Sequence, residues 1–223
     1  TGISHTLMVP TLYQGLVGLA TGGREVSNDD AGGWAEHVIV AGEACPSALV
    51  AAHFAAFPDS QLTNEYGPTE ATVWATAHHC GPSDDPVPIG PPIPGSWLAV
   101  VDQTGAIRPS GVEGELIIGG LGVVDGYLDD PTETARRFRQ LPSLLQPPAL
   151  RNHWTVGDGR YFLTGDRAVV VDGELRFLGR GDGQLNVGGA RVEPEEIEAV
   201  LLSSESITGA VVSLDPTTYK RPT

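Results

Sequence analysis

Two groups of side chains in this sequence have the types and spacing for phosphate and sugar chemistry. In the first, Asn64-Glu65-Tyr66-Gly67-Pro68-Thr69-Glu70 crowds amide, carboxylate, hydroxyl and aromatic groups around a Gly-Pro pair. A turn at Gly67 and Pro68 can expose backbone amides. Thr69 and Glu70 can reach a phosphate and its metal, and Tyr66 offers a flat face to a base. In the second, Thr164-Gly165-Asp166 is followed by Gly179-Arg180-Gly181-Asp182. A carboxylate can accept hydrogen bonds from both hydroxyls of a ribose, and an arginine beside it can hold the same sugar or its phosphates. Taken alone, the first group also reads as an ordinary turn, and the second as a surface ion pair worth at most about 1 kcal/mol.

Other constellations carry less. In His78-His79-Cys80, adjacent residues on a strand point to opposite faces, and no CxxC or HExxH partner exists, so structural histidines are expected. Gly119-Gly120-Leu121-Gly122 with Gly126 lacks dinucleotide-binding spacing and reads as turn glycine. No GxSxG elbow occurs. Glu195, Glu196 and Glu198 read as a solvated helix start rather than paired catalytic carboxylates. The basic residues are twelve Arg and a single Lys, Lys220, so no Gly-Lys-Ser/Thr phosphate loop can be written and a Schiff-base lysine is not expected.

The 223 residues carry 13 basic against 28 acidic side chains, a formal charge of −15. So acidic a chain, without a basic patch, is not expected to bind nucleic acid. No apolar run approaches the length of a membrane span, and none of the features of a secretory signal follows Thr1. Cys45 and Cys80 lie far apart and form neither a CxxC pair nor a disulfide framework, which points to a reducing, cytoplasmic compartment. The missing initiator Met suggests a piece of a longer chain.

Several elements must position these groups. Residues 9–20 have amphipathic helical spacing behind Pro10, and residues 24–33 read as a polar surface loop. His37-Val38-Ile39-Val40-Ala41 is a continuous apolar run of the parallel-strand kind, and residues 46–57 have helical spacing, completing a strand-loop-helix unit. From Val73 the pattern changes to short β-rich runs at 73–76, 97–101, 115–118, 169–171 and 174–178, which predict an antiparallel sheet or small barrel. Asp172-Gly173 marks a hairpin. A helix is predicted from Asp130, with Pro131 at its first position and Glu133 completing a capping box. Residues 140–160 form a long proline-bearing connection, and a last helix at 193–202 is followed by a strand at 210–214.

Together, the motifs resemble the later core motifs of amino-acid-activating adenylation domains of nonribosomal peptide synthetases, members of the adenylate-forming superfamily. Ile39-Val40-Ala41-Gly42-Glu43 resembles the GGE loop, and residues 64–73 are a near copy of NxYGPTEATV. Pro88-Ile89-Gly90-Pro91-Pro92-Ile93 is similar to PIGxPI, and residues 114–128 to GELxIxGxxxxxGYL. Thr164-Gly165-Asp166 matches TGD, residues 179–184 match GRxDxQ, and residues 189–198 match GxRxExxEIE. These occur in the family's order along most of the chain.

The resemblance implies an α/β fold: half of the large adenylate-forming domain, a mixed sheet flanked by helices plus a small antiparallel barrel, over residues 1–180. An incomplete α+β lid would occupy residues 181–223. It implies ATP and Mg2+, an amino-acid substrate, and transfer of the acyl group to the phosphopantetheine thiol of a peptidyl carrier protein. Neighbouring synthetase domains and an MbtH-like protein are further implied partners. Thr69 would contact phosphate and Glu70 the magnesium. Gly42, Glu43, Asn64, Tyr66, Gly67, Asp166 and Arg180 would face the nucleotide, with Tyr66 on the adenine, Asn64 at its amino group, and Asp166 and Arg180 on the ribose. Asp182 would be the hinge of the lid. Leu7, Ile39, Ala41, Glu65, Val73 and Trp74 match the positions that line the side-chain pocket, and Glu65 there suggests a polar or cationic substrate.

The departures are also specific. The family's Gly/Ser/Thr-rich phosphate loop and amine-gripping Asp would precede Thr1, and its glycine-lysine motif would follow the chain. The 223 residues by themselves are therefore expected to be inactive. Leu163, Asn186 and Gly188 stand where the family carries cations. Two alternatives follow, a non-catalytic adenylation-like scaffold and an acyl-CoA or aryl ligase of the same superfamily.

Overall fold

A computed structural model describes residues 3–21, 35–140, 159–181, 185–187, 190–192, 194–204 and 206–213. The expected hinge Asp182, the loop at 24–33, most of the connection at 140–160, and Lys220 lie outside the described residues.

The first layer is a four-stranded sheet in the order β1-β2-β3-β4, built from Ile3–Met8, Ala35–Ala41, Gln61–Tyr66 and Thr76–His79. β1, β2 and β3 run parallel and β4 is antiparallel to β3. Helices α1 (Pro10–Thr21) and α2 (Ser47–Ala56) connect the parallel strands and pack against each other. Two right-handed crossovers advancing in the same direction place their helices on the same face, and the core shows it. Tyr13, Val17, Leu49 and Val50 from the helices cluster with Val38, Val40 and Leu62 from the sheet. Among the described residues the helices therefore cover one face, where a sheet flanked by helices was expected.

Pro10 opens α1 at the position where a missing N–H costs nothing. The next donor, the Thr11 N–H, is satisfied from a distance: Glu43 Oε2 accepts from it at 3.0 Å and from the Thr11 hydroxyl at 2.5 Å. A carboxylate there also suits the positive end of the helix dipole.

The second layer is a five-stranded antiparallel sheet. Strands β5 (Ser96–Val101), β6 (Gly114–Gly120), β8 (Arg160–Val171) and β7 (Phe138–Gln140) run in that spatial order, and β9 (Glu174–Arg180) pairs the other half of β8. Among the described residues its path of hydrogen bonds is open, with β5 at one edge, whereas a barrel would pair its last strand to its first. The Asp172-Gly173 hairpin forms as expected, both residues having positive φ, 53° and 84°. Helix α3 (Pro131–Arg137) begins as expected too, the Asp130 carboxylate accepting from the Glu133 N–H at 2.8 Å. The reciprocal half of the capping box is not made, because the Glu133 carboxylate pairs with Arg136 and Arg137 instead.

Two further expectations need correction. Residues 73–75 are not strand. Thr69–Ala71 form a 3-10 turn, Thr72 and Val73 have φ of 57° and 74°, and β4 starts only at Thr76. No strand forms at 210–213 either, since the Val212 N–H donates to Glu198 Oε1 at 2.8 Å rather than to a neighbouring strand. Beyond β9 the described elements are β10 (Leu185–Val187), paired antiparallel with β11 (Ala190–Val192), and α4 (Pro194–Leu202).

Candidate functional site

The two sheets meet where the chain leaves β3. Tyr66, Ala71, Ala75 and Ile89 from that segment pack on Val100, Leu116, Ile118 and Ala168 of the second sheet. Close backbone approach fixes the joint. A Cβ on Gly67 would sit 2.5 Å from the Trp74 Cα, and one on Gly90 would sit 2.3 Å from the Ala77 carbonyl oxygen, so both positions require glycine.

Tyr66, Asp166 and Arg180 converge at this joint. The Tyr66 hydroxyl donates to Asp166 Oδ2, and Arg180 Nη1 donates to Asp166 Oδ1 at 2.8 Å. Asp166 is buried and directly opposite Arg180 in the β8–β9 register. Burial, reinforced by the Asp166 charge and hydrogen bond, raises the Tyr66 pKa well above the ordinary phenol value, so the phenol remains a donor. Arg180 thus neutralises charge on a buried carboxylate that Tyr66 also orients.

A bulge sets the carboxylate's direction. Leu163 and Arg167 pair with Ile117 and Glu115, so Thr164, Gly165 and Asp166 lie opposite Leu116 alone. Gly165 takes a φ of 75°, its N–H donates to Glu115 Oε1 at 3.0 Å, and the Thr164 hydroxyl donates to the Leu116 carbonyl at 2.7 Å. That Thr164 oxygen also accepts the Asp166 N–H at 3.0 Å. Bulges re-aim side chains beside sites, and here the side chain is Asp166.

Glu70 is held separately. It is buried, and Tyr127 Oη donates to its Oε1 at 2.6 Å. The loop bearing Tyr127 is stitched to the 3-10 turn by the Val124 N–H on the Glu70 carbonyl (3.0 Å) and the Thr72 hydroxyl on the Gly122 carbonyl (2.6 Å). Thr69 stands exposed beside it. Sequence reasoning missed the role of Tyr127, because its partnership with Glu70 spans 57 positions and no local pattern reports it.

Asn64 is buried and faces the helix side, in register with Val40 and His78. Its Nδ2 donates to the Pro88 carbonyl at 2.9 Å. A carbonyl can only accept, so this bond fixes which end of the amide is the donor and leaves the amide oxygen as the acceptor end. Gly42 has φ 84°, and Glu43 caps α1 while its Oε1 is buried without a hydrogen-bond partner.

The expected pocket residues share the open face of the first sheet. Leu7 pairs with Ile39 and Ala41 with Glu65, so the four point away from the helices. Leu7 is 58% exposed, whereas Glu65 is buried and its pKa is raised by desolvation. Val73 and Trp74 stand exposed on the turn after β3. Sequence reasoning also missed the polar part of this face. The Thr63 hydroxyl lies 2.7 Å from His37 Nε2 and 2.9 Å from His79 Nδ1, and the His5 ring lies 5.4 Å from that of His37. Period-two alternation along β1 to β4 is the signal that could have found it.

Residues 1–128 match the family model of AMP-binding enzymes, and the chain belongs to that family. It is 40% identical over 184 residues to a plipastatin synthase polypeptide of Bacillus subtilis (strain 168), covering 80% of this chain and 7% of that polypeptide. It is 34% identical over 209 residues to tyrocidine synthase 2 of Brevibacillus parabrevis, covering 94% of this chain and 5% of that protein. Among solved structures, the Vibrio cholerae adenylation domain AlmE in complex with glycyl-adenosine-5'-phosphate superposes with a TM-score of 0.76 at 27% identity, covering 97% of this chain and 39% of that one. A holo NRPS protein containing adenylation and PCP domains, bound to a vinylsulfonamide inhibitor, gives 0.72 at 28% identity, covering 88% and 32%. The resemblance to adenylation domains read from the motifs therefore holds in sequence and in fold. The chain spans less than a tenth of these two curated relatives. Among the described residues no helix is long and apolar enough to cross a membrane.

Proposed function

We propose that this chain supplies the nucleotide-facing joint of an enzyme that activates an amino acid with ATP. The products would be an aminoacyl adenylate and pyrophosphate, with the acyl group then passed to the phosphopantetheine thiol of a carrier protein. The observation that carries this reading is the convergence of Tyr66, Asp166 and Arg180 from two different sheets on one buried carboxylate. A carboxylate carries about four lone-pair sites, the acceptor chemistry a vicinal diol requires. Asp166 and Arg180 would hold the ribose, Tyr66 the adenine face, and the Asn64 oxygen the adenine amino group.

Glu70 fits a hard divalent cation, being a buried carboxylate held by Tyr127. Magnesium, when bound, screens the charge on phosphate oxygens. Thr69 would contact the phosphates, Gly42 and Glu43 would face the nucleotide, and a hydroxyl or amino donor there would satisfy Glu43 Oε1. Leu7, Ile39, Ala41 and Glu65, with Val73 and Trp74, would choose the amino acid, Glu65 favouring a polar or cationic side chain. Residues 181–223, hinged at Asp182, would form part of a lid that closes between half-reactions. An MbtH-like protein remains among the proposed partners.

ATP–pyrophosphate exchange across the proteinogenic amino acids, in the protein that carries this chain, tests the reading. Exchange driven by one amino acid supports it, and none with any of them refutes it. One observation favours the scaffold alternative. Leu163, where the family carries a cation, packs on the core of Trp97, Val101, Ile117 and Tyr161 and leaves no charge before Asp166.

A further inference from the structure

The two cysteines, remote in sequence, are neighbours in space. Cys45 lies in the loop between β2 and α2, Cys80 directly follows β4, and both pack against the same apolar core. Two more ligating groups stand beside Cys80. His78 Nε2, Cys80 Sγ and a carboxylate oxygen of Asp84 all lie within 4.8 Å of one another. Adjacent strand residues diverge, which is why the His78-His79-Cys80 run looks unsuited to a metal in sequence. The relevant spacing is i to i+2, which puts His78 and Cys80 on the same face and leaves His79 on the other.

The backbone holds this arrangement. The Cys80 N–H donates to the Leu62 carbonyl at 2.8 Å, extending the sheet register by one residue. A turn brings Asp84 back, its N–H bonded to the Gly81 carbonyl at 3.1 Å and its Oδ2 accepting the Gly81 N–H at 2.8 Å. Asp84 Oδ2 also lies 2.7 Å from His78 Nε2.

We infer that Cys45, His78, Cys80 and Asp84 form a binding site for a thiophilic divalent cation of the zinc type, structural rather than catalytic. Two thiolates, an imidazole and a carboxylate are the donor set such a cation takes in tetrahedral geometry, and four protein ligands leave no open position. Zinc–ligand bonds of about 2.0–2.3 Å imply ligand-to-ligand edges of roughly 3.3–3.8 Å. His78, Cys80 and Asp84 therefore need only small side-chain shifts, the His78–Asp84 pair opening, and Cys45 turns in from its loop as the fourth ligand. The step is an acid–base exchange with no redox change. Each thiol loses its proton to solvent, the cation takes the Nε2 lone pair of His78, and the ring proton resides on Nδ1. Access exists, because His78 also lines a cleft of about 270 Å³ bordered by Pro88, Pro91, Pro92 and Leu175. None of the four ligands belongs to the proposed nucleotide seat, so the two readings fail independently.

Cobalt(II) titration of the reduced full chain tests this, with absorption as the readout. One equivalent should produce intense near-ultraviolet thiolate-to-cobalt charge transfer and visible tetrahedral bands, both bleached by one equivalent of zinc. Cys45→Ser should halve the charge-transfer intensity, and His78→Ala should weaken affinity by at least about tenfold, the loss expected even for an outer-shell change. His79→Ala, on the opposite face, should change neither. Should Cys80→Ser fail to fold, Cys45→Ser carries the same readout from a loop position. Absent charge transfer, bands that survive Cys45→Ser, or thiols that titrate as a disulfide in the metal-treated chain would each overturn the proposal.

Discussion

The same four strands present two faces with opposite logic. On the helix side, Val38, Val40 and Leu62 are sealed under Tyr13, Leu49 and Val50, and the buried polar group His53 is satisfied by Tyr13 Oη at 2.5 Å and the Ser60 carbonyl at 3.1 Å. On the open side, alternate residues of the same strands present His5, Leu7, His37, Ile39, Thr63, Glu65 and His79, some exposed and several titratable. One face is filled with buried apolar side chains. The other keeps a desolvated carboxylate and a chain of imidazoles, an arrangement that costs stability unless something binds there. A strand can therefore serve stability and recognition together, because its side chains alternate.

The largest expected contrast comes from matched truncations. Leu49→Ala, on the sealed side, should lower unfolding free energy by about 2–5 kcal/mol in a denaturant titration. Leu7→Ala, on the open side, should stay within about 0.5 kcal/mol. Equal losses would break the contrast. Next in size is Tyr13→Phe, which leaves His53 Nδ1 buried without its partner and should cost about 1–3 kcal/mol. Glu65→Gln, by removing the desolvated charge, should raise the denaturation midpoint slightly while altering which amino acid drives ATP–pyrophosphate exchange.

Acid should expose both faces. Burial lowers the His53 pKa against the opposing Ser60 carbonyl bond, and burial followed by the charges of His5 and His79 lowers that of His37. A folded pKa below the unfolded value of about 6.5 means the unfolded chain binds more protons below that pH. This contribution to stability is present above about pH 6.5 and is lost as pH falls toward the folded values. Denaturation midpoints should drop between about pH 7 and pH 5, and His37→Gln should flatten part of that slope. An effect of the opposite sign should come from Val73→Gly. A β-branched residue at φ 74° is strained, and the exposed side chain buries little, so relief should raise stability by about 1 kcal/mol in the same titration.

How much was legible depended on range. Local signals were reliable: Pro10 opening α1, the apolar run of β2, Asp172-Gly173 closing its hairpin, and Asp130 capping α3 all formed. The fold family and the Asp166–Arg180 pairing were carried by motifs. Four features were not readable. The bulge at Thr164–Asp166 depends on what β6 places opposite, the left-handed Thr72 and Val73 depend on the packing of Gly67 under Trp74, and Tyr127 reaches Glu70 through a tertiary loop. Cys45 and Cys80 meet only once β2, β3 and β4 pair. Residues 210–213 show the converse, a strand-like pattern whose donor found a carboxylate rather than a ladder.

The central claim is that the joint of Tyr66, Asp166 and Arg180 seats an adenosine nucleotide. Calorimetric titration with AMP of the wild-type protein and of Asp166→Asn, side by side, tests it most directly. The account predicts binding of one AMP per chain, weakened at least about tenfold by the substitution, equivalent to about 1.4 kcal/mol, with the fold unchanged by circular dichroism. AMP that binds both proteins equally, or neither, would contradict it.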